Sequence, residues 1–312
     1  MVLDTILFGD CRETLKEFDG KARTCVTSPP YYGLRDYGGE ESQIGQEQTP
    51  EEYIQNLVEV FRSVRDVLTD DGTLWVNIGD SYYNYRPGKG QALPKQTVSK
   101  TKQDLPDKCA KRGNKLEGLK EKDLIGIPWM LAFALRADGW YLRQDIIWHK
   151  PNPMPESVKD RCTKSHEYIF LLSKNRKYYY NNEAIKEPVK QDWGTRDRTK
   201  GKYHNPGTGL VPHSGLSKSY DRKNKRDVWT VTNKPYKGAH FAVYPPDLIE
   251  PCIKAGSEEG DIVLDPFMGS GTTALVSKSL NRHYIGCELH EDYGRLIQKR
   301  LSEKSFARLK LE

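Results

Sequence analysis

Strand-like runs alternate along this chain with segments that carry apolar residues at helical spacing. Residues 23–28 form a short run rich in β-branched residues, and residues 72–78 form another strand-like run, so both predict strands. Between them, residues 50–68 carry apolar side chains at helical spacing, which predicts a helix with one buried face. Its apolar positions are Tyr53, Leu57, Val60, Phe61, Val64 and Leu68. A strand, a helix and a strand of these lengths predict one βαβ unit.

The remainder of the chain continues the alternation. The pattern predicts a helix over residues 124–135 and strands over 141–148 and 168–172. Nearer the end it predicts helices over residues 246–255, 272–280 and 291–309, and strands over 262–264 and 283–287. Alternating elements of this kind predict an α/β fold, with a doubly wound, mostly parallel sheet and helices on both of its faces.

Charge is unevenly distributed along the chain, and the basic residues concentrate in two segments. The net charge is +6, from 49 Lys and Arg against 43 Asp and Glu. Residues 84–123 hold 11 basic against 5 acidic residues, and residues 174–240 hold 16 against 6. One interpretation is two solvated, partly disordered loops. The other is a binding surface for a polyanion, because aromatic residues suited to nucleic acid lie among the basic ones. These are Trp193, Tyr203, Tyr220, Trp229 and Tyr236.

Hydropathy and cysteine spacing exclude several classes of protein. The longest apolar run, residues 129–135, is far shorter than the roughly 20 residues of a membrane-spanning helix. The six cysteines contain no CxxC pair, which argues against a disulfide framework and against a zinc site. We therefore expect a cytoplasmic protein with reduced thiols, no membrane association and no metal.

The sharpest local motif lies between a predicted strand and a predicted helix. It reads Asp265-Pro266-Phe267-Met268-Gly269-Ser270-Gly271-Thr272-Thr273. In a doubly wound sheet such a turn binds a nucleotide-like group, and an acid on the next strand, here Glu288, pairs with ribose hydroxyls. The loop lacks GK[ST] and begins with an acid, so it suits a ligand with a cationic amino-acid part better than a pyrophosphate. A purely structural tight turn is the alternative.

A second motif, Thr27-Ser28-Pro29-Pro30-Tyr31-Tyr32-Gly33, follows the first predicted strand. Its two prolines restrict the backbone. A rigid turn at the end of a strand presents the Ser28 hydroxyl and the Pro29 carbonyl as hydrogen-bond acceptors, beside the aromatic face of Tyr31. Such a turn could hold a planar amino group. The alternative is a Pro-Pro turn in which Tyr31 fills the core.

Together, TSPPY and DPFMGSGTT resemble the DNA amino-methyltransferases that use S-adenosylmethionine (SAM). The catalytic motif comes first and the SAM motif last, an order similar to the permuted β group of that family. Five further segments resemble the family's other motifs, so the resemblance covers most of the chain. They are ILFGD (6–10), GTLWVNIGDSY (72–82), DIIWHKPNPMP (145–155), SHEYIFLLSK (165–174) and HFAVYPPDLIEPCI (240–253). The resemblance implies a Rossmann-like SAM-dependent methyltransferase fold with a circularly permuted motif order.

The resemblance also implies a SAM site, with SAM as the cofactor. Asp10 would bind the adenine amino group, Glu288 would bind the ribose, and Phe241 would line the same pocket. The glycine loop would hold the methionine end of SAM. The loop residues expected in this site are Asp265, Phe267, Gly269, Ser270, Gly271, Thr272 and Thr273.

By the same resemblance, the second motif would hold the target base. The Ser28 hydroxyl and the Pro29 carbonyl would accept hydrogen bonds from its amino group, Tyr31 would stack on the ring, and Pro30 would keep the turn rigid. Asp80 is a further candidate near the site, and the alternative for it is a capping acid after its strand.

The identity of residue 28 bears on which base is methylated. In the family, serine here is usual for cytosine-N(4) enzymes, and aspartate or asparagine for adenine-N(6) enzymes. Ser28 therefore predicts a site-specific DNA methyltransferase that makes N(4)-methylcytosine in duplex DNA after base flipping. Adenine-N(6) methylation is the alternative. A carbon-5 enzyme would need a cysteine nucleophile, whereas Cys252 lies in a predicted helix and is interpreted as core.

The domain organisation follows from these motifs. We expect a catalytic half (1–83), a basic insertion (84–123), a continuation of the methyltransferase domain (124–173), a target-recognition region (174–239) and a SAM-binding half (240–312). The resemblance implies double-stranded DNA as the partner, in a bacterial or phage-infected cell. The residues expected to contact it include Arg196, Arg198, Arg222 and Arg226.

Other functions and partners stay open at this point. The sequence contains no nuclease motif, so a restriction endonuclease of the same restriction-modification system would be a separate polypeptide. Monomer and homodimer are both open. An RNA or small-molecule amine methyltransferase, and a non-catalytic DNA-binding module, are the more distant alternatives.

Overall fold

The computed structural model describes residues 2–33, 43–83, 116–189, 221–233 and 244–302. They belong to two compact units, one of residues 1–180 with 227–312 and one of residues 181–226. Within the described ranges no helix is long and apolar enough to cross a membrane. Much of the predicted basic insertion and of the predicted target-recognition region lies outside these ranges.

Most of the strands belong to one sheet of eight in the larger unit. The strands are β1 (Thr5–Phe8), β2 (Ala22–Thr27), β3 (Leu68–Ile78), β4 (Tyr141–His149), β5 (His166–Ser173), β6 (Glu187–Pro188), β7 (Arg222–Lys223), β8 (Val228–Thr230), β9 (Ile262–Asp265) and β10 (His283–Glu288). The order across the large sheet is β1-β10-β9-β2-β3-β5-β4-β8. Strands from the two ends of the chain therefore meet in the middle, where β9 pairs with β2.

Strand direction confirms the prediction of a mostly parallel sheet. Every neighbouring pair is parallel except the two pairs that β5 makes, with β3 and with β4. Because β5 alone is reversed, it begins at the edge of the sheet where the other strands end. That edge carries the two motifs singled out from the sequence.

Helices follow the strands, as the alternation predicts. They are α1 (Cys11–Thr14), α2 (Pro50–Val67), α3 (Ile127–Ala137), α4 (Pro246–Gly256), α5 (Thr272–Ser279) and α6 (Asp292–Leu301). The predicted βαβ unit is present as β2, α2 and β3, with β2 and β3 parallel. The helix predicted to extend to residue 309 is described only as far as its end at Leu301.

Helix α2 begins where its sequence sets a capping box. The Thr49 hydroxyl accepts a hydrogen bond from the Glu52 amide at 3.1 Å, and the Glu52 carboxylate accepts one from the Thr49 amide at 3.3 Å. Pro50 takes the first helical position, where no amide donor is needed. The predicted apolar face is fully buried and forms much of the core. Its fully buried members are Tyr53, Leu57, Val60, Phe61 and Val64.

Some elements differ from the sequence prediction. Helix α3 begins at Ile127 rather than at residue 124, because Gly126 before it has the left-handed conformation with φ of 88°. Strand β8 was not predicted; it pairs with β4 through Trp229 and Trp148 and buries both side chains. Residues 227–233 thus belong to the larger unit, although they lie within the segment predicted as target-recognition region.

The smaller unit contains a two-stranded antiparallel ladder. Glu187 of β6 is opposite Lys223 of β7. The Glu187 carboxylate also pairs with Lys225 at 3.5 Å and with Arg226 at 3.4 Å. Two of the four predicted DNA-contacting arginines, Arg222 and Arg226, lie in this unit. Arg196 and Arg198 lie outside the described residues.

Candidate active site

The two motifs follow neighbouring strands in the middle of the sheet. The Pro-Pro turn follows β2 and the glycine loop follows β9, and these strands are paired in register at Cys25 and Leu264. A hydrogen bond of 2.6 Å from the Thr27 hydroxyl to the Asp265 carboxylate joins the two strand ends. The structure therefore brings together two segments that are 238 positions apart in the chain.

Asp265 is fully buried and organises the start of the glycine loop. Its carboxylate accepts hydrogen bonds from the Thr273 hydroxyl at 2.5 Å, the Phe267 amide at 3.0 Å and the Tyr244 hydroxyl at 3.1 Å, in addition to Thr27. Burial raises the pKa of Asp265, although these hydrogen bonds act in the opposite direction. Because both oxygens are occupied by protein donors, we interpret Asp265 as holding the loop in place. A direct contact of Asp265 with SAM stays a prediction.

The loop itself depends on two glycines with positive φ. Gly269 has φ of 53° and Gly271 has φ of 80°, a backbone region that side chains disfavour. A Cβ atom on Gly271 would also lie 2.9 Å from the Ile297 side chain of α6. The sequence motif predicted this close turn. The packing of α6 against it was not predicted.

Arg300, at the end of α6, fixes the loop from the outside. Its guanidinium donates to the Ser270 carbonyl at 2.9 Å, to the Ser270 hydroxyl at 2.5 Å and to the Thr272 hydroxyl at 3.0 Å. Ser270 and Thr272 were predicted to contact the cofactor directly, and that prediction stays untested. In the structure their hydroxyls accept hydrogen bonds from Arg300 of α6. No sequence motif identified Arg300 as a functional residue.

Two carboxylates lie at the ends of the adjacent strands β1 and β10. The Gly9 amide donates to the Glu288 carbonyl at 2.9 Å, which places Asp10 near Glu288. The Glu288 carboxylate is 8% exposed and accepts from the Gly269 amide at 2.8 Å and the His290 amide at 3.1 Å. Burial raises the pKa of Glu288 to about 7, against the lowering effect of those amides.

Asp10 is held differently. Its carboxylate accepts the Arg12 amide at 2.9 Å and pairs with the Arg12 guanidinium at 2.5 Å. Burial alone would raise the pKa of Asp10, but the hydrogen bonds and the charge of Arg12 hold it below its usual value. Asp10 is therefore ionised at neutral pH, as an acceptor of an amino group should be.

These residues fit SAM by the chemistry of their side chains. Glu288 and Asp10 are carboxylates of the type that ribose hydroxyls and an amino group require, although Arg12 contacts both oxygens of Asp10. Contacts of either residue with SAM stay predictions. In the described part of the chain, the buried Nε2 atom of His290 has no hydrogen-bond partner, so one more polar atom is available there. Phe241, predicted to line the same pocket, lies outside the described residues.

The Pro-Pro turn is rigid and leaves one carbonyl available. The Tyr53 hydroxyl donates to the Pro30 carbonyl at 2.7 Å, which ties the turn to the buried face of α2. Among the described residues, none donates a hydrogen bond to the Pro29 carbonyl. Ser28 is half-buried beside it. Ser28 and Pro29, the predicted pair of acceptors, are adjacent in the turn, and their contact with a target base stays a prediction.

Tyr31 is anchored in a polar network. Its hydroxyl donates to a Glu167 carboxylate oxygen at 2.7 Å and lies 3.4 Å from the Asn77 amide oxygen. Its ring passes so close to Gly79 that a Cβ there would lie 2.7 Å from a ring carbon. The ring is half-buried rather than fully enclosed in the core. Stacking of a base on this ring stays a prediction.

Glu167 and its neighbours were not predicted as site residues. Glu167 is the second residue of β5 and forms an ion pair with Lys150, which follows β4. The Asn77 side chain donates to Glu167 at 3.3 Å. The only signal in the sequence was that SHEYIFLLSK resembles a family motif. The contacts themselves require the reversed direction of β5, which a pattern of apolar residues does not reveal.

Asp80 has the capping role that was kept as its alternative. Its carboxylate accepts the amides of Gly126 at 3.0 Å and of Ile127 at 3.1 Å, at the start of α3. It also accepts the Ser81 amide at 2.9 Å. These bonds satisfy amides that a helix leaves without partners.

Among the described residues, neither the cysteines nor the potential metal ligands form a candidate site. Cys252 is buried within α4, as its interpretation as core predicts. Four of the five described cysteines are buried and one, Cys162, is exposed. No cluster of three or more potential metal ligands occurs among the described residues.

Comparison with known proteins gives the relationships of the chain. Residues 22–299 match the N6/N4 methyltransferase family, described as DNA methylase. Type II methyltransferase M.SmaI of Serratia marcescens is 47% identical over 302 residues, which cover 95% of this chain and 90% of that protein. Type II methyltransferase M.XycI of Xanthomonas campestris pv. cyanopsidis is 47% identical over 298 residues, with 95% and 87% covered.

Solved structures share the fold. PvuII DNA methyltransferase (cytosine-N4-specific) superposes with a TM-score of 0.61 at 17% identity, over 98% of this chain and 90% of that one. The M1.HpyAVI–SAM complex superposes with a TM-score of 0.52 at 20% identity, over 96% and 99%. At these identities the likeness establishes the fold, and the sequence relationships establish the family. The chain belongs to the N6/N4 family of SAM-dependent DNA methyltransferases, among its Type II members.

Proposed function

We propose that this enzyme methylates the N(4) amino group of cytosine within a specific sequence of duplex DNA. The observation that carries the proposal is the acceptor pair formed by Ser28 and Pro29 beside the glycine loop. A serine hydroxyl occupies the position where adenine-specific members usually have a carboxylate or an amide. The cytosine-N4 specificity in the name of the PvuII enzyme gives further support.

The residue types suit the chemistry of an exocyclic amine. The lone pair of such a nitrogen is delocalised into the ring, so the nitrogen is a weak nucleophile. Acceptors for both of its N–H bonds, the Ser28 hydroxyl and the Pro29 carbonyl, favour the pyramidal geometry in which the lone pair can attack. When bound, SAM supplies a methyl group that its sulfonium already activates. The protein then has to align the nitrogen with that carbon.

The position of Tyr31 suits a base that has left the duplex. A cytosine in DNA is stacked and paired, so its amino group reaches a site at the end of β2 only after the nucleotide is flipped out, which costs a few kcal/mol. The half-buried ring of Tyr31 would receive the flipped base. The rigid attachment of Pro30 to Tyr53 would keep the acceptors aligned with that ring.

Binding and recognition of DNA are assigned to the basic segments. Phosphate contacts by their lysines and arginines would supply affinity, and contacts to base edges would supply specificity. Neutral substitution of Arg196, Arg198, Arg222 and Arg226 together should weaken DNA binding and reduce its salt dependence. Unchanged affinity and salt slope would rule out this assignment.

The proposed DNA methylation also implies a location in the cell and a partner protein. The two relatives described above are bacterial Type II enzymes. We propose that this enzyme acts in the cytoplasm, with a separate endonuclease as its partner in a restriction-modification system.

The product of the reaction tests the choice of base. Labelled SAM and unmethylated duplex DNA are incubated with the enzyme, and the nucleosides are separated by mass spectrometry after digestion. N(4)-methylcytosine is expected. N(6)-methyladenine would keep the family and the fold but overturn the base assignment. Methylation that survives only in an RNA sample, or in a sample without nucleic acid, would overturn the choice of DNA.

A further inference from the structure

A cluster of polar side chains surrounds the hydroxyl of Tyr31, where β3 and β4 end and β5 begins. The Tyr31 hydroxyl donates to a Glu167 carboxylate oxygen at 2.7 Å. The Asn77 amide donates to the same oxygen at 3.3 Å, and the Lys150 ammonium pairs with the other oxygen. Both oxygens of Glu167 are therefore held by donors from outside its own strand.

The Asn77 side chain ties this cluster to the sheet. It is 4% exposed, and its amide also donates to the Tyr168 carbonyl of β5 at 3.1 Å. The Asn77 amide oxygen lies 3.4 Å from the Tyr31 hydroxyl, as a second acceptor beside Glu167. Because β3 and β5 are paired at this position, the acceptors that face the hydroxyl are fixed by the sheet rather than by a loop.

The ion pair between Lys150 and Glu167 is nearly buried, since their side chains are 16% and 14% exposed. The Lys150 ammonium also lies 4.1 Å from the centre of the Trp148 ring. Removing two charges from water is costly, so a pair of this kind adds little to the net stability of a fold. Its position beside Tyr31 is better explained by the orientation that it imposes on the Glu167 carboxylate.

Close packing restrains the ring of Tyr31 from another side. A Cβ atom on Gly79, directly after β3, would lie 2.7 Å from a carbon of this ring and 3.4 Å from the Glu167 carboxyl carbon. The φ angle of Gly79 is not in the left-handed region, so the close approach, and not the backbone conformation, requires glycine here. The ring is therefore restrained at its edge by Gly79 and at its hydroxyl by Glu167.

We propose that Glu167 is a positioning residue for methyl transfer, which fixes the ring of Tyr31 in the orientation that receives the target base. This role rests on the proposed function in one respect, that the target base stacks on Tyr31. Apolar contacts alone would let the ring tilt about its side-chain bonds, whereas a hydrogen bond at its far end prevents this. A shift of the base by about 1 Å would take its amine out of line with the methyl group and can slow a reaction by up to about a hundredfold.

Single-turnover methylation rates test the hydrogen bond between Tyr31 and Glu167. Tyr31→Phe keeps the ring and removes the hydroxyl. Lys150→Met with Glu167→Leu, the apolar-pair variant, removes the acceptor without leaving a buried charge unpaired. Each should slow methyl transfer by about tenfold. Adding Tyr31→Phe to the apolar-pair variant should cause no further loss, because both changes remove the same hydrogen bond.

Stability separates this role from a merely structural one. Replacing a buried ion pair by apolar residues is often neutral or stabilising. The apolar-pair variant should therefore keep or raise the thermal unfolding midpoint while its rate of methyl transfer falls. Its SAM affinity, measured by calorimetry, should stay within about twofold of the wild type. A loss of SAM affinity or of stability that matches the loss of rate would reject the positioning role.

A conservative variant provides the matched comparison. Lys150→Met with Glu167→Gln differs from the apolar-pair variant only at residue 167, and it keeps an uncharged acceptor oxygen for the Tyr31 hydroxyl. It should methylate about tenfold faster than the apolar-pair variant. Equal rates would show that the charge of Glu167 matters rather than its hydrogen bond. Tyr32→Phe is the control for loss of a hydroxyl, since Tyr32 donates to the Gln48 carbonyl instead, and it should keep the wild-type rate.

The orientation of the ring is also measured without DNA or SAM. In enzyme with 13C-labelled tyrosine, the NMR signals of Tyr31 are those that disappear in Tyr31→Phe. They should shift in the apolar-pair variant and return toward their wild-type positions in the variant with glutamine at 167. Gly79→Ala pushes on the ring directly, so it should shift the same signals and slow methyl transfer by about tenfold. Unchanged signals in the apolar-pair variant would reject the positioning role.

These outcomes distinguish the role of Glu167 from the choice of base. If Tyr31→Phe and the apolar-pair variant methylate within about twofold of the wild-type rate, the positioning role is wrong even when the product is N(4)-methylcytosine. If the product is N(6)-methyladenine but both variants are slow and glutamine restores the rate, the positioning role stands and the base assignment falls.

Discussion

The candidate site has two halves, the glycine loop after β9 and the Pro-Pro turn after β2, and different kinds of contact hold them in place. At the glycine loop, Glu288 and Asp265 bind backbone amides close to the loop, and the distances in the chain are at most 19 positions. At the Pro-Pro turn, by contrast, Tyr31 meets Glu167 across 136 positions. One half is a turn held mainly by nearby parts of the chain, although the Thr27 hydroxyl also reaches Asp265 across 238 positions. The other is a set of side chains that only the completed sheet brings together, so the two halves should fail in different ways when they are altered.

The largest effect is expected from removing the ring of Tyr31. Tyr31→Ala should reduce methyl transfer by about a hundredfold or more, since stacking, alignment and the hydroxyl are lost together. SAM affinity, measured by calorimetry, should stay within about twofold. The matched control is Tyr32→Ala, which removes the neighbouring aromatic ring and should affect the rate far less. A comparable loss of SAM affinity in Tyr31→Ala would mean that the two halves are not separate.

At the glycine loop, by contrast, we expect a substitution to reduce SAM binding itself. Gly271→Val places a β-branched residue at φ of 80° and against Ile297, which costs on the order of 1–3 kcal/mol in backbone strain alone. SAM binding should fall by about a hundredfold or become undetectable. Gly260→Val is the control, because Gly260 has φ of 85° but open space around it, at the other end of β9. SAM affinity retained by Gly271→Val would contradict the proposed loop site.

A smaller effect on SAM binding is expected from a substitution in α6, which packs against the glycine loop. Arg300→Ala removes the donors that hold Ser270 and Thr272, and hydrogen bonds from a charged group contribute roughly 1.5–3 kcal/mol each at most. SAM affinity should fall by about five- to twentyfold in titrations, without loss of the fold. Arg295→Ala changes an exposed arginine on the same helix and should leave the affinity unaltered. Equal effects of the two substitutions would show that charge, rather than loop geometry, is responsible.

The smallest effect concerns pH. Glu288 has a pKa of about 7 because it is buried, and ribose hydroxyls donate best to its ionised form. SAM affinity should therefore fall by about twofold between pH 8 and pH 7, whereas Glu288→Gln should bind weakly without this pH dependence. The difference between the two binding profiles isolates Glu288 from any titration of SAM itself. Parallel profiles would show that Glu288 does not bind the ribose.

The same pKa has a consequence for stability with the opposite sign. The folded pKa of Glu288 is raised above its ordinary value of 4.5, so the folded protein favours the protonated form. The contribution to the free energy of unfolding is complete below pH 4.5 and is lost as the pH rises through 7. Under the proposed role of Glu288, the ionised form that would bind the ribose is therefore maintained at some cost to the stability of the fold.

The sequence predicted the local half of the site better than the other. The strands β2, β3, β9 and β10, the helix α2 and both turns follow from apolar spacing and from glycine and proline positions. The grouping of Tyr31, Asn77, Lys150 and Glu167 could not be predicted, because it depends on the order and direction of strands. Arg300 was missed for a related reason, since the partner of a loop on a later helix leaves no periodic signal.

The pairing of β1 with β10 has a consequence for how the protein is made. β1 is synthesised long before its neighbour β10, since the paired residues Thr5 and Ile285 lie at opposite ends of the described sequence. The edge strand that precedes Asp10 must therefore wait, without its partner, until β10 has been synthesised. The central pairing of β2 with β9 waits almost as long. During translation, β1 and the side of β2 that faces β9 are unpaired strand edges that expose the nascent chain to aggregation.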